Sequence, residues 1–136
     1  MALLTARLDG PAAMAAIEEI AVMGSAAASA APLVARYLDA AREQDWWTAT
    51  RAALTLWRIT GDTERVTPVL ASAWHENPYT RLEIAETATG SLATALRPQL
   101  RAEIEASERF NVSPDPGPDD QVTGDERLLE LCRAAT

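Results

Sequence analysis

Three prolines, Pro32, Pro68 and Pro98, each fall in what the sequence predicts to be the first turn of a helix. Each proline follows another helical pattern and a short break, so one helix–break–helix unit occurs three times. The prolines are 36 and 30 residues apart. Self-similarity at a period of about 20–50 residues is typical of stacked repeat arrays, in which each unit buries its apolar face against its neighbours. The pattern therefore predicts an all-α solenoid of about three antiparallel helical pairs.

Aligning the three units on their prolines separates a buried face from an exposed face. The positions two and six residues after each proline are all apolar. With apolar residues of the first helices they predict one core row: Ile17, Ile20, Val34, Leu38, Leu54, Trp57, Leu70, Trp74, Leu100 and Ile104. The intervening positions are mostly polar or small, and they predict an exposed mixed-charge ridge: Arg36, Asp39, Ser72, His75, Arg101 and Glu105.

The helix boundaries follow from capping and turn residues. Asp45 and Asn77 are predicted N-caps, and Gly24, Gly61 and Gly90 are predicted breaks. We expect helices over 11–23, 30–42, 46–59, 63–76, 79–89, 92–109 and 124–134. The repeat array then covers 1–110. An acidic loop rich in proline and glycine covers 111–122, and a C-terminal capping helix lies within 123–136 and opens with a capping box at Thr123 and Glu126.

The overall charge restricts the class of partner. The net charge is −8, which disfavours binding to nucleic acid phosphates or anionic lipid because like charges repel. The N-terminus lacks the basic start and long apolar run of a signal peptide, and no stretch approaches the roughly 18 apolar residues of a membrane span. These features favour a cytoplasmic protein with no membrane or nucleic-acid partner.

The residues that could carry chemistry form no recognisable catalytic or metal-binding motif. His75 is the only histidine, so the zinc-protease pattern that begins at His75–Glu76 is incomplete. The acidic pairs at positions 83 and 86 and at positions 103 and 105 are interpreted as solvated helix charges. Cys132 is the only cysteine and is interpreted as a small buried residue. We therefore expect no catalytic residue, no metal, no cofactor and no enzymatic activity.

Two segments carry a resemblance to a known repeat family. Residues 51–61, Arg-Ala-Ala-Leu-Thr-Leu-Trp-Arg-Ile-Thr-Gly, and the following helix at Pro68-Val-Leu resemble HEAT repeats of the short variety named after the phycobilisome lyase subunits. Residues 124–133, Gly-Asp-Glu-Arg-Leu-Leu-Glu-Leu-Cys-Arg, resemble the tail of HEAT-repeat proteins from high-GC actinobacteria. The resemblance implies a HEAT-like solenoid whose second helices line the concave binding face.

Adjacent tryptophans at the start of one helix give a further candidate for partner binding. Neighbouring helix residues point about 100° apart, so Trp46 and Trp47 are not buried equally, and an exposed tryptophan is a good anchor for a partner. The predicted partner-binding residues are Arg36, Asp39, Trp46, His75, Arg101 and Glu105.

The leading hypothesis is a non-enzymatic interaction module or scaffold that binds a protein or peptide. Self-association, or continuation of a larger repeat array, is an open possibility for its partner surface. The alternative is an accessory or lyase-type subunit of an enzyme complex. A third hypothesis is nucleic-acid binding of the kind found in helical-repeat DNA glycosylases, which the acidity and the absence of a basic stripe oppose.

Overall fold

The computed structural model describes Leu3, Leu8 and residues 12–106 and 118–136, with side chains of the last segment described from Val122 onward. Within those ranges the chain is helical and contains no strand, so the all-α class is confirmed. The helices are α1 (Ala13–Met23), α2 (Ala31–Ala35), α3 (Trp46–Thr60), α4 (Thr63–Glu76), α5 (Arg81–Thr87), α6 (Gly90–Ala95), α7 (Arg97–Glu105) and α8 (Pro118–Ala135). Short 3₁₀ helices cover Gly24–Ala30, Arg36–Glu43 and Pro78–Thr80.

Local sequence signals explain the ends of the central helices. Asp45 accepts a hydrogen bond from the Thr48 amide at 3.1 Å and caps α3. Gly61 ends the same helix at a φ of 71°, a left-handed conformation that glycine adopts without steric cost. Asn77 caps the following turn through the Tyr79 amide. The predicted bounds of α3 and α4 therefore agree with the structure to within one residue.

The chain divides into two compact units, Met1–Val69 and Leu70–Thr136. The division falls inside α4, whereas the sequence predicted an array over 1–110, a loop over 111–122 and a capping helix within 123–136. Helix α8, the predicted capping helix, belongs to the second unit. The reason is that α8 packs against both α5 and α7, and Leu128 and Cys132 are buried there.

In the first unit, α3 packs against α1 and against the segment 24–43. Met14 lines a groove together with Trp47, and Glu18, one turn further along α1, forms an ion pair with Arg51, one turn further along α3. The contacts advance along both helices together, so α1 and α3 run in the same direction. Tyr37 donates a hydrogen bond from its hydroxyl to the Leu8 carbonyl and ties the segment 24–43 to the N-terminal region.

The three prolines are not equivalent in the structure. Pro32 and Pro98 are the second residues of α2 and α7, as predicted, but Pro68 is the sixth residue of α4 and lies inside the helix. Proline lacks an N–H, so Pro68 leaves the Glu64 carbonyl without its helical partner. The first-turn prediction for Pro68 is wrong because the cap is set by Asp62, whose carboxylate accepts from the Arg65 amide at 3.1 Å.

Besides α8, three predicted helices differ from the observed ones. The segment 30–42 is α-helical only over α2 and continues as a 3₁₀ helix, and the segment 79–89 begins with a 3₁₀ turn. The segment 92–109 divides into α6 and α7 at Leu96, because Pro98 has no N–H to bond the Thr94 carbonyl of a continuous helix.

The predicted loop 111–122 lies outside the described residues up to position 117. From Pro118 onward the chain is helical, since proline is well tolerated at the first position of a helix, so α8 begins six residues before the predicted helix 124–134. Thr123 therefore lies inside α8, and the predicted capping box at Thr123 and Glu126 is wrong.

The predicted core row is largely buried. Seven of its ten members are buried, whereas Leu38, Trp57 and Ile104 are only half-buried. Two of these three, Leu38 and Ile104, occupy the position six residues after the proline, where the helices around Pro32 and Pro98 are short or change to 3₁₀ geometry. The residue two positions after the proline is therefore buried in all three helix–break–helix repeats. The residue six positions after the proline is buried only in the repeat around Pro68, where it is Trp74.

Among the residues that the structure describes, one segment, Ala13–Glu43, is long and apolar enough to cross a membrane by length and composition alone, with a mean hydropathy of 1.3 over its most apolar window. The sequence-based expectation concerned a run of about 18 apolar residues, and a mean hydropathy raised by many alanines does not test it. The segment is not one regular α-helix. Gly24 lies at φ 56° and ψ −140°, outside the helical region, and Ala27 also departs from helical geometry.

Candidate functional site

The six predicted partner-binding residues are divided between the two units. Arg36, Asp39 and Trp46 belong to the first unit, and the other three, His75, Arg101 and Glu105, belong to the second. All are exposed except Trp46, which is half-buried. Arg36 and Asp39 lie on one 3₁₀ segment, where Asp39 forms an exposed ion pair with Arg42 at 3.6 Å. Within the described residues, each unit thus carries exposed charges of both signs.

The second-unit members lie on two helices. His75 is the penultimate residue of α4, and its side chain is exposed beside the buried Trp74. Arg101 and Glu105 are one turn apart on the exposed side of α7, so a positive and a negative charge follow each other along the helix. Such alternating charge provides hydrogen-bonding groups of both signs and no strong field for a polyanion.

The tryptophan pair opens α3, and the more exposed member is Trp47. Its exposed fraction is 36%, whereas Trp46 is half-buried. The sequence identified the pair, and the angular offset between neighbours correctly implied unequal burial. It selected Trp46 for partner binding, and the structure adds Trp47, which the sequence-based set lacked.

Trp47 forms one wall of a groove in the first unit, which we call the Trp47 groove. The groove has a volume of about 280 Å³ and is lined by Met14, Trp47, Thr48 and Arg51. Its walls are the apolar surfaces of an indole and a thioether side chain, and one end carries the Arg51–Glu18 ion pair. The adjacent Trp–Trp dipeptide was the only sequence signal for this groove, because Met14 is distant in the chain.

A second groove lies within the second unit, between α8 and the segment formed by α5 and α6. It has a volume of about 400 Å³, and its lining is dominated by small residues: Ala85, Glu86, Ala88, Thr89, Gly90, Ala93, Thr94, Leu131, Ala134 and Ala135. Glu86 is the only charged residue in this lining. Small side chains provide a wide, shallow surface and few groups that could orient a small molecule.

A buried polar network in the second unit joins Arg81 on α5 to Glu103 on α7 and to the Trp74 carbonyl at the end of α4. The Arg81 guanidinium forms an ion pair with the Glu103 carboxylate at 3.0 Å, and its Nε donates to the Trp74 carbonyl at 2.8 Å. The guanidinium carbon also lies 5.9 Å from the centre of the Trp74 ring. Glu103 was interpreted from the sequence as a solvated charge, and that interpretation is wrong, since α7 turns this side chain inward toward Arg81.

The part of the chain that the structure describes contains no cluster of His, Cys, Asp and Glu able to hold a metal ion. Glu86 is exposed, and Cys132 is buried within α8.

No protein-family model, no curated protein and no solved structure matches the chain. The resemblance to HEAT repeats therefore stays a prediction from the sequence, and the functional argument depends on the geometry of the two units.

Proposed function

We propose that this protein is a helical-repeat interaction module that binds a protein or peptide and has no catalytic activity of its own. The packing within each unit is the observation that carries the proposal. In the first unit, α3 packs on α1 and on the segment 24–43. In the second, α8 packs on α5 and α7. A helix that covers the preceding helix pair in both units is the arrangement expected of stacked HEAT-like pairs.

The exposed charges favour a protein partner over a nucleic acid. The second helices carry Arg36 with Asp39 and Arg101 with Glu105 on their exposed sides. Charges of both signs can complement a protein surface and fix its register, whereas a net charge of −8 opposes a phosphate backbone. We therefore expect no measurable affinity for duplex DNA at physiological salt.

The proposal is tested by affinity capture with the full chain, followed by titration of each purified candidate partner in a calorimeter. The variant carries Arg36→Glu together with Arg101→Glu, and the matched control carries Arg58→Glu together with Arg133→Glu. All four arginines are exposed, so both variants make the same charge change. Neither should change the free energy of unfolding by more than about 0.5 kcal/mol per substitution.

We expect the first variant to weaken the complex and the control to retain it. Equal affinity of both variants would show that the predicted ridge is only a solvated surface. A tight, salt-sensitive complex with a DNA duplex would contradict the partner class. Capture of an enzyme whose turnover requires this chain would instead support the accessory-subunit alternative.

A further inference from the structure

The groove between α8 and the segment of α5 and α6, which we call the Glu86 groove, has an apolar floor and a polar rim. Its volume is about 400 Å³. The floor consists of three alanines that are 5–7% exposed: Ala85, Ala88 and Ala93. The exposed lining residues with polar side chains form the rim: Glu86, Thr89 and Thr94. A side chain with an aliphatic stem and a polar head therefore matches both parts of the groove.

Glu86 gives this groove its charge. It is the only charged residue in the lining, and among the residues that the structure describes its carboxylate forms no hydrogen bond or ion pair. The C-terminal end of α8 and the N-terminal end of α6 also line the groove, and the dipole ends of these two helices have opposite signs. Because the two partial charges oppose each other, the Glu86 carboxylate makes the groove negative.

The other two polar groups of the rim can also accept hydrogen bonds. The Thr94 hydroxyl donates to the Gly90 carbonyl at 3.1 Å, and its oxygen keeps lone pairs for an external donor. Thr89 carries a second exposed hydroxyl. An ammonium group has three N–H donors and no acceptor, so it complements one carboxylate and two hydroxyl oxygens.

Resting on the proposed function, we infer that the Glu86 groove binds a lysine side chain of the protein partner. The four-carbon stem packs on the alanine floor and on Leu131 of α8, and the ammonium group lies at Glu86 on the rim. Lysine fits better than arginine because the lining has no aromatic face on which a guanidinium could stack. None of the 136 residues of the chain is lysine, so a second copy cannot supply this side chain.

Other side chains fit the groove less well. A carboxylate would meet the Glu86 charge, and the lining has no cationic residue to offset that repulsion. An uncharged aliphatic side chain would cover the alanine floor but would give the acceptors of the rim no donor. The charge and the hydrogen-bonding groups of the lining therefore favour lysine over both.

The inference is tested by NMR titration of the isotope-labelled full chain with short glycine–serine peptides that differ only at one central residue: lysine, arginine, norleucine or glutamate. Norleucine has the lysine stem without the ammonium group. The Gly90 amide and the methyl groups of the alanine floor report on the groove, and the Gly61 amide in the first unit is the internal control. We expect the lysine peptide to shift the groove signals in a saturable manner at millimolar concentration. It should bind about two- to fivefold more tightly than the norleucine peptide, as for one exposed ion pair, and the glutamate peptide should bind most weakly.

Three variants separate the groove from general attraction to an acidic chain. Glu86→Gln should weaken lysine-peptide binding about two- to fivefold and leave norleucine-peptide binding unchanged. Glu76→Gln is the matched control, because Glu76 is exposed in the same unit but does not line the groove, and it should leave both affinities unchanged. Ala134→Leu places a larger side chain at an exposed position of the lining, so it should weaken both peptides without lowering the thermal melting midpoint.

Equal losses for Glu86→Gln and Glu76→Gln would overturn the inference, because the attraction would then be diffuse. Groove signals that the lysine peptide leaves unmoved would overturn it, as would tighter binding of the norleucine, arginine or glutamate peptide. The proposed function has its own test. A purified partner that loses affinity with the Arg36 and Arg101 variant but not with Glu86→Gln or Ala134→Leu would support the interaction module and reject the groove as its contact.

Discussion

Glu103→Gln is predicted to destabilise the protein strongly, although the substitution removes no more than one charge from an acidic chain. The Glu103 and Arg81 side chains are only 6% and 10% exposed, and they form an ion pair at 3.0 Å. Removing one member of a buried ion pair typically costs about 3–5 kcal/mol, because the other charge is left in a poorly solvated site. Arg81 keeps its hydrogen bond to the Trp74 carbonyl, so we expect about 3 kcal/mol, the lower end of that range.

The assay is urea denaturation at neutral pH, followed by circular dichroism and tryptophan fluorescence to verify that both probes give one transition. Glu105→Gln is the matched control. It makes the same chemical change on the same helix at an exposed position, and we expect an effect within about 0.5 kcal/mol. Raising the salt concentration should leave the Glu103→Gln effect largely intact, because buried pairs are weakly screened.

A double-mutant cycle isolates the pair itself. Arg81→Met combined with Glu103→Gln should be less destabilising than the sum of the single changes, with a coupling energy of about 1–3 kcal/mol. Additive single effects, or a cost for Glu103→Gln no larger than that for Glu105→Gln, would refute the reasoning that this pair is desolvated and coupled.

Three further predictions concern two core residues, the C-terminal helix α8 and the N-cap of α3. Leu70→Ala should cost about 2–5 kcal/mol, because Leu70 is fully buried. Trp57→Ala should cost less than the roughly 3–5 kcal/mol typical of a core tryptophan, because Trp57 is only half-buried. Chemical denaturation measures both, and a Trp57→Ala cost of about 5 kcal/mol would contradict the observed burial. Deletion of residues 107–136 should give an aggregating or dimerising product, because α8 covers α5 and α7. Sedimentation measures the oligomeric state and chemical denaturation the stability, and a monomeric fragment of full stability would contradict this role. Asp45→Ala should cost about 1 kcal/mol through loss of the α3 cap, and Asp45→Asn should cost much less, as measured by thermal melting.

Local sequence signals predicted the central helices because their ends depend on residues close in the chain. Asp45, Gly61 and Asn77 act through hydrogen bonds or backbone angles within three or four residues of their own positions. Such short-range effects are readable from one sequence. The same holds for the residues two positions after each proline, Val34, Leu70 and Leu100. They are apolar in all three helix–break–helix repeats, and all three are buried.

Interactions between distant residues were not predictable from the same patterns. Arg81 and Glu103 are 22 residues apart, and each alone resembles an ordinary solvated helix charge. Only the packing of α5 with its neighbours decides that both are buried. The division of the chain inside α4 has the same origin, because it depends on which helices share contacts and not on any break in composition.

The tryptophan pair shows how far periodicity can be taken at a candidate site. An offset of 100° requires that the two side chains differ in burial, but it does not say which one faces outward. That choice depends on where α1 crosses α3, and Met14, Thr48 and Arg51 line a groove together with Trp47. The sequence could therefore locate the start of α3 as a candidate surface, whereas the identity of the more exposed tryptophan follows only from the packing of α1 with α3.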